Sequence, residues 1–114
     1  YVLYQKVDLE SGDIYTGRSS GYGNPQSIVS SRDNGHHKKN LSPAILTAWL
    51  PATTSKTYSQ RKADPSYWAI RGGEQLMIEG YRAKGISANS INGISPNNKE
   101  KSKFMEWAKN LLNL

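Results

Sequence analysis

The sequence contains no cysteine and no long apolar run. The absence of cysteine excludes disulfide bonds and thiolate metal sites, but it leaves the cellular compartment open. No segment approaches the ~20 consecutive apolar residues that a membrane-spanning helix requires. Acidic residues are outnumbered, with 9 aspartates and glutamates against 15 lysines and arginines, which gives a net charge of +6. This positive excess favours an anionic partner, and nucleic acid first.

The length and composition predict one folded domain. The chain has 114 residues, of which 36% are hydrophobic, and this is enough for a modest core but not for two independent cores. Because the chain starts at Tyr1 rather than at a methionine, we expect a domain, residues 1–114, that is taken from a longer protein.

Two short segments near the start predict a β-hairpin. Val2-Leu3-Tyr4 and Ile14-Tyr15-Thr16 are rich in β-branched, apolar and aromatic residues, which favour strands. Glu10 to Asp13 has the composition of a turn, and Gly12 can adopt a positive φ there. The hairpin would bring its two tyrosines close to each other, and two phenols with a carboxylate could cleave a phosphodiester.

A capping residue followed by proline marks the start of each of four expected helices. These pairs are Asn24-Pro25, Ser42-Pro43, Asp64-Pro65 and Ser95-Pro96. The helices are expected over about residues 25–33, 43–50, 65–83 and 96–110, with an exposed loop over 52–62. Together with the hairpin and a third strand, they predict an α+β fold in which a small antiparallel sheet is flanked by helices.

Glu74 falls within the apolar stripe of the third expected helix, four residues after Ile70 and four before Ile78. A carboxylate on such a face is costly unless it has a partner. A divalent cation at the mouth of a cleft is one such partner. The alternatives are an ion pair with a buried arginine and a position at the edge of the stripe.

Two tyrosine motifs separated by ten residues resemble the paired motifs of the GIY-YIG nuclease family. They stand here as Val2-Leu3-Tyr4 and Tyr15-Thr16-Gly17, with valine in place of the first glycine and threonine in place of an isoleucine. Arg71-Gly72-Gly73-Glu74-Gln75 is similar to the glutamate-bearing helix of the family. Asn89 to Pro96 is similar to the asparagine segment that follows it.

The resemblance implies an endonuclease that uses one divalent cation, Mg²⁺ or Mn²⁺, held by Glu74. It also implies that Tyr4 accepts the proton of the attacking water and that Tyr15 positions the water or the phosphate. Asn89 or Asn92 would support the site through hydrogen bonds.

An arginine and a histidine complete the implied site. The resemblance favours Arg32 as the arginine, with Arg18 as its rival, because a guanidinium stays charged and can bridge two phosphate oxygens. His36 or His37 would orient the water or protonate the leaving oxygen. The basic side chains expected to contact nucleic acid are Arg18, His37, Lys38, Lys39, Arg61 and Lys62.

Gly17-Arg18-Ser19 and Asn92 to Pro96 also look like the corresponding segments of C-terminal toxin domains in bacterial polymorphic toxins. That resemblance implies an effector that is delivered into the cytoplasm of a target bacterium. It also implies a cognate immunity protein, which we expect to be acidic because it must cover a basic cleft. DNA is favoured as the substrate, although RNA is left open.

Other functions are consistent with the same residues. One is a homing or repair endonuclease of the same family. A second is a nucleic-acid-binding module without catalysis. A third is a different nuclease with a histidine–metal site at His36 and His37, for which no second ligand pair is visible in the sequence.

Overall fold

The computed structural model describes residues 1–33, 41–53, 56–89 and 92–113. Within these ranges three strands form one antiparallel sheet, and three α-helices flank it. The elements in chain order are β1 (Val2–Val7), β2 (Ile14–Ser19), α1 (Pro25–Ser30), a 3₁₀ helix (Ser31–Asp33), β3 (Ile45–Trp49), a 3₁₀ helix (Tyr58–Ala63), α2 (Pro65–Ala83) and α3 (Lys101–Leu112). The predicted α+β class is confirmed.

The predicted hairpin is formed by β1 and β2. Its register runs from Val2 opposite Ser19 to Val7 opposite Ile14. Gly12 adopts φ 79° in the turn, as its position predicts. The Asp8 carboxylate accepts hydrogen bonds from the backbone N–H groups of residues 10 and 11, which holds the turn in place.

The helix predicted over residues 43–50 is wrong. This segment forms β3, which pairs antiparallel with the free edge of β1 and gives the strand order β2-β1-β3. An apolar run of this length fits either a helical or a strand period. Ile45, Thr47 and Trp49 favour a strand, and pairing with β1 supplies backbone partners that one short helix would lack.

Proline and capping residues predict the helix starts correctly for α1 and α2. Asn24 accepts a hydrogen bond from the Ser27 backbone N–H at 2.8 Å, and Asp64 accepts one from the Ser66 backbone N–H at 2.9 Å. Helix α2 has the predicted bounds. Helix α1 is shorter than predicted because its last turn continues as a 3₁₀ helix to Asp33.

The last helix starts at Lys101, five residues later than the predicted start at Pro96. Ser95 and Asn98 accept hydrogen bonds from the backbone N–H groups of residues 97 and 100, at 3.3 and 2.8 Å. Such local side-chain bonds compete with a helix. A second difference is the 3₁₀ helix Tyr58–Ala63, which lies largely within the predicted loop.

The core is organised around the sheet. Helix α1 packs on the face that carries Val2 and Tyr4, where Ile28, Val29 and Ala44 complete a buried cluster. Helix α2 packs along β2 and also contacts β1, while α3 packs against α2. The long helix therefore places its middle turns beside the hairpin that carries the tyrosines.

Candidate active site

Tyr4 and Tyr15 are neighbours on one face of the hairpin. Their ring centroids lie 6.5 Å apart, with an angle of 40° between the ring planes. Tyr4 lies opposite Gly17 and Tyr15 opposite Lys6, so the two rings form a diagonal pair across the strands. The Tyr4 ring covers Gly17, where a β-carbon would overlap the phenol. The structure thus brings together the two phenols that the motifs predict.

Arg32 contacts the tyrosine pair through the hydroxyl of Tyr4. Its Nε lies 3.5 Å from the Tyr4 hydroxyl oxygen. Lys6 holds this segment in place, since its Nζ donates to the Arg32 carbonyl at 2.9 Å and lies 3.4 Å from the Asp33 carboxylate. Lys6 is only 3% exposed, and a buried ammonium requires such partners. Lys6 was not predicted as a site residue, although its alternation with Tyr4 along β1 is a signal that its side chain points inward.

The pKa of Tyr15 is raised by burial first, and then by the neighbouring Tyr4 and the charge of Glu74. Arg32 acts in the opposite direction but does not outweigh these effects. Tyr15 therefore stays a neutral phenol near neutral pH and can donate a hydrogen bond. The same interactions show that Glu74 and Arg32 are both within electrostatic range of this tyrosine.

Glu74 is buried and paired with Arg18. The Arg18 Nε donates to Glu74 Oε1 at 3.1 Å, and the glutamate side chain is 11% exposed. The expected alternative, an ion pair with an arginine, is therefore present in the structure, and the partner is the rival arginine of the sequence analysis. Glu74 Oε2 has no hydrogen-bond partner among the described residues.

Burial raises the pKa of the Glu74 carboxyl, and the nearby Arg18 and Arg71 offset this only in part. The segment after α2 packs directly on the carboxylate, because a β-carbon at Gly93 would overlap Glu74 Oε1 and Cδ. Asn92 holds this segment through hydrogen bonds from Arg82 and Gln75. The asparagine segment thus covers one side of the Glu74 carboxylate.

The donor set around Glu74 fits a cation that needs only one protein carboxylate. Among the described residues, no group of three or more His, Cys, Asp or Glu side chains could hold a metal ion. Mg²⁺ is often bound through one or two carboxylates, with water and substrate phosphates as its other ligands. Glu74 meets this requirement because one of its oxygens accepts no hydrogen bond within the described ranges.

Asn89 binds the backbone of β2 rather than another site residue. Its side chain accepts from the Thr16 N–H at 2.9 Å and donates to the Thr16 carbonyl at 2.8 Å. Just before it, the Ala88 N–H donates to the Ile14 carbonyl at 2.8 Å. The Asn89 amide thus continues a short run of pairing along the edge of β2 and supports the site through that strand.

A cleft of about 110 Å³ is lined by three of the predicted site residues, Arg18, Arg32 and Arg61. Tyr67 lines the same cleft, with its ring centroid 5.6 Å from the Arg18 guanidinium carbon and 5.7 Å from that of Arg61. Lys62 is exposed on the neighbouring 3₁₀ helix.

Tyr67 is buried on α2 and was not predicted as a site residue. Burial acts to raise the pKa of this phenol, but Arg18, Arg61 and Arg71 together outweigh it, so the pKa is lowered. The surrounding guanidinium groups come from three different elements, and the sequence gives no local signal that they converge. The predicted residues His36, His37, Lys38 and Lys39 lie outside the described residues.

Comparison of the chain with family models, with curated proteins and with solved structures finds no match in any of the three. The GIY-YIG resemblance therefore stays a prediction that rests on the motifs and their spacing. Across the described ranges, no helix is both long enough and apolar enough to span a membrane.

The raised pKa of Glu74 predicts how stability depends on pH. The folded protein binds the Glu74 proton more tightly than the unfolded chain does. The stability that this group contributes is therefore greatest in acid. It falls as the pH rises from the usual carboxyl pKa to the raised value. Above that window the charged carboxylate is a net cost.

Glu74→Gln should remove this cost while keeping an oxygen that accepts from Arg18. With a chelator present at about pH 7.5, we expect the variant to melt a few degrees higher than the parent. A gain of about 1 kcal/mol in the free energy of unfolding produces a shift of that size in a domain of this length. The difference should shrink toward about pH 4, where the carboxyl is neutral. Thermal unfolding by circular dichroism tests this, with the exposed Glu106→Gln as control. A lower melting temperature at neutral pH would show that the Arg18 ion pair outweighs the cost of burial.

Proposed function

We propose that this domain is a divalent-metal-dependent endonuclease of the GIY-YIG type, which hydrolyses phosphodiester bonds of nucleic acid, with DNA as the favoured substrate. The observation that carries the proposal is the convergence of a buried carboxylate and two phenols beside an arginine-lined cleft. The residues of this site come from both strands of the hairpin, from the 3₁₀ helix after α1 and from α2. These are the side-chain types that cleavage of a phosphodiester requires.

The residues take the following roles in the proposed reaction. Glu74 holds the cation, and a bound Mg²⁺ or Mn²⁺ would polarise a phosphate oxygen as a Lewis acid. Tyr4 in its phenolate form would accept the proton of the attacking water and become the neutral phenol, and the Arg32 guanidinium beside its oxygen would stabilise the phenolate. Tyr15 donates a hydrogen bond that orients the water or the phosphate, since its raised pKa keeps its proton in place.

Two arginines are placed to neutralise charge on the phosphate. Arg18 and Arg32 both line the cleft, and each guanidinium can donate two parallel hydrogen bonds to phosphate oxygens. Arg18 is also bound to Glu74, so it links the carboxylate to the cleft. We therefore assign phosphate contacts to both arginines. A histidine role for His36 or His37 stays a prediction from the sequence.

One observation favours a second candidate, a binding module without catalysis. Glu74 already has a cationic partner in Arg18, so its burial does not by itself require a metal. A binding module would use the same cleft and would bind nucleic acid without cutting it. A cleavage assay on plasmid DNA and total RNA, with Mg²⁺ and with chelator, separates the two.

We expect Mg²⁺-dependent cleavage that chelator abolishes. Glu74→Gln should reduce the rate at least ~100-fold, because loss of one preorganised charge-stabilising group commonly has an effect of that size. Single-turnover cleavage at saturating Mg²⁺ measures this, with the exposed Glu106→Gln as the matched control. Parental activity in Glu74→Gln would refute the assignment of the metal ligand, and absence of cleavage by the parent would favour the binding module.

Tyr4→Phe and Tyr15→Phe should each lower the cleavage rate by about 10²-fold or more, the usual size of a lost acid–base group. Each change removes only a hydroxyl, so ring packing and the melting temperature should be nearly unchanged. Tyr22→Phe is the control, since Tyr22 is 84% exposed. If both tyrosine variants cleave normally while substitution of His36 and His37 abolishes activity, a histidine–metal nuclease is the better explanation.

We also propose that the domain is the toxic part of a delivered bacterial effector and that an acidic immunity protein neutralises it. The cleft with Arg18, Arg32 and Arg61 is a suitable surface for such a partner. An inhibitor bound there should compete with labelled DNA, and its association should slow as salt rises. The product of a neighbouring gene that binds without displacing DNA or inhibiting cleavage would contradict this.

A further inference from the structure

We propose that Tyr67, Arg71 and Lys62 form a second phosphate-binding subsite that holds another phosphate of the same nucleic-acid strand. This subsite lies next to the cleft lined by Arg18, Arg32 and Arg61. This inference deepens the proposed function and takes its substrate class from it. None of the three roles assigned above to Glu74, Tyr4 and Tyr15 involves this subsite.

The geometry of α2 aligns the subsite with Glu74. Tyr67, Arg71 and Glu74 are separated by four and then three residues, so they lie along one side of the helix. The distance along the helix axis from Tyr67 to Glu74 is about 10 Å, at about 1.5 Å per residue. A strand with one phosphate at Glu74 would therefore pass Tyr67 when it continues along α2.

Tyr67 lines two cavities, and cationic side chains line both. One is the cleft with Arg18, Arg32 and Arg61. The other is a cavity of about 230 Å³ that is lined by Arg71 and Lys62 as well as by Tyr67. Tyr67 itself is 6% exposed, and a polyanion that reached both cavities would meet positive charge in each.

Arg71 carries a hydrogen-bond donor that is not satisfied within the described ranges. Its guanidinium carbon lies 5.2 Å from the centroid of the Phe104 ring, so the aromatic ring holds the side chain. Its Nε is buried and has no hydrogen-bond partner among the described residues. A buried donor without an acceptor is costly, and a phosphate oxygen is a strong acceptor for a guanidinium.

The potential at Tyr67 supports an anion at this position. The pKa of its phenol is lowered although burial acts to raise it, because Arg18, Arg61 and Arg71 favour a negative oxygen there. The same field favours a phosphate oxygen. One carboxylate, Glu100, also lines the cavity, but it lies 3.8 Å from Lys103 Nζ, which compensates part of its charge.

The test is equilibrium binding of a fluorescein-labelled single-stranded DNA to the whole domain, in chelator so that no cleavage occurs. Anisotropy is measured from about 50 to about 200 mM salt. Loss of one phosphate contact reduces the salt slope by about 0.7, so the affinity lost across this range should be about threefold smaller in Arg71→Gln than in the parent. Tyr67→Phe should weaken binding and leave the slope unchanged, since the hydroxyl can donate a hydrogen bond but supplies no positive charge.

Matched controls separate the subsite from general charge and from misfolding. Lys109→Gln removes an exposed charge from α3, and Tyr81→Phe removes a hydroxyl from the far end of α2. Neither should change the slope, while Arg71→Lys should keep it. If Arg71→Gln does not fold, as judged by its melting curve, Lys62→Gln takes its place, because Lys62 is exposed and lines the same cavity.

The outcomes distinguish this inference from the proposed function. A parent that binds DNA with the predicted dependence on Arg71 or Lys62 but never cuts would support the subsite and refute the nuclease. A parent that cuts DNA, with Arg71→Gln and Lys62→Gln binding like Lys109→Gln, would overturn the subsite alone. Displacement of the DNA by polyglutamate of equal charge, with the same dependence on Arg71, would indicate a docking surface for an acidic protein and would also overturn it.

Discussion

The ion pair between Arg18 and Glu74 joins the sheet to the long helix α2. Both the Glu74 carboxylate and the arginine-lined cleft of the candidate site depend on it. Arg18 comes from β2, and Glu74 lies in the middle of α2. The raised pKa of Glu74 shows that its burial costs more than its arginine neighbours return. A buried ion pair of this kind is weak evidence for stability. The proposed chemistry therefore gives Glu74 its central role as a ligand.

Elements whose signals lie within a few residues could be predicted from the sequence, whereas elements that depend on distant partners could not. The caps Asn24 and Asp64 act within three residues of themselves, so the starts of α1 and α2 could be predicted. The strand β3 could not be predicted in this way, because its five residues pair with β1, which lies 40 to 47 positions earlier in the chain. The start of α3 was missed because Ser95 binds backbone in competition with a helix.

The same distinction applies to the site. Tyr4 and Tyr15 were placed together because one tight hairpin joins them, and Glu74 was selected because a charge interrupts a helical stripe. Lys6 and Tyr67 were missed because their partners are distant in sequence. Lys6 reaches a carbonyl 26 residues away, and Tyr67 meets an arginine from β2 at position 18. Only the fold shows these roles.

The side-chain amide of Asn89 occupies the outer edge of β2 and so affects where a further strand could pair with the sheet. It presents one donor and one acceptor to Thr16, as a neighbouring peptide group would, and within the described ranges no strand pairs with β2 on that side beyond it. The β2 edge is therefore terminated beside the candidate site. Within the described ranges β3 is the other outer strand, and it carries exposed Ile45 and Trp49. A chain that joined this sheet by strand addition would therefore be directed to β3 rather than to the edge that Asn89 occupies.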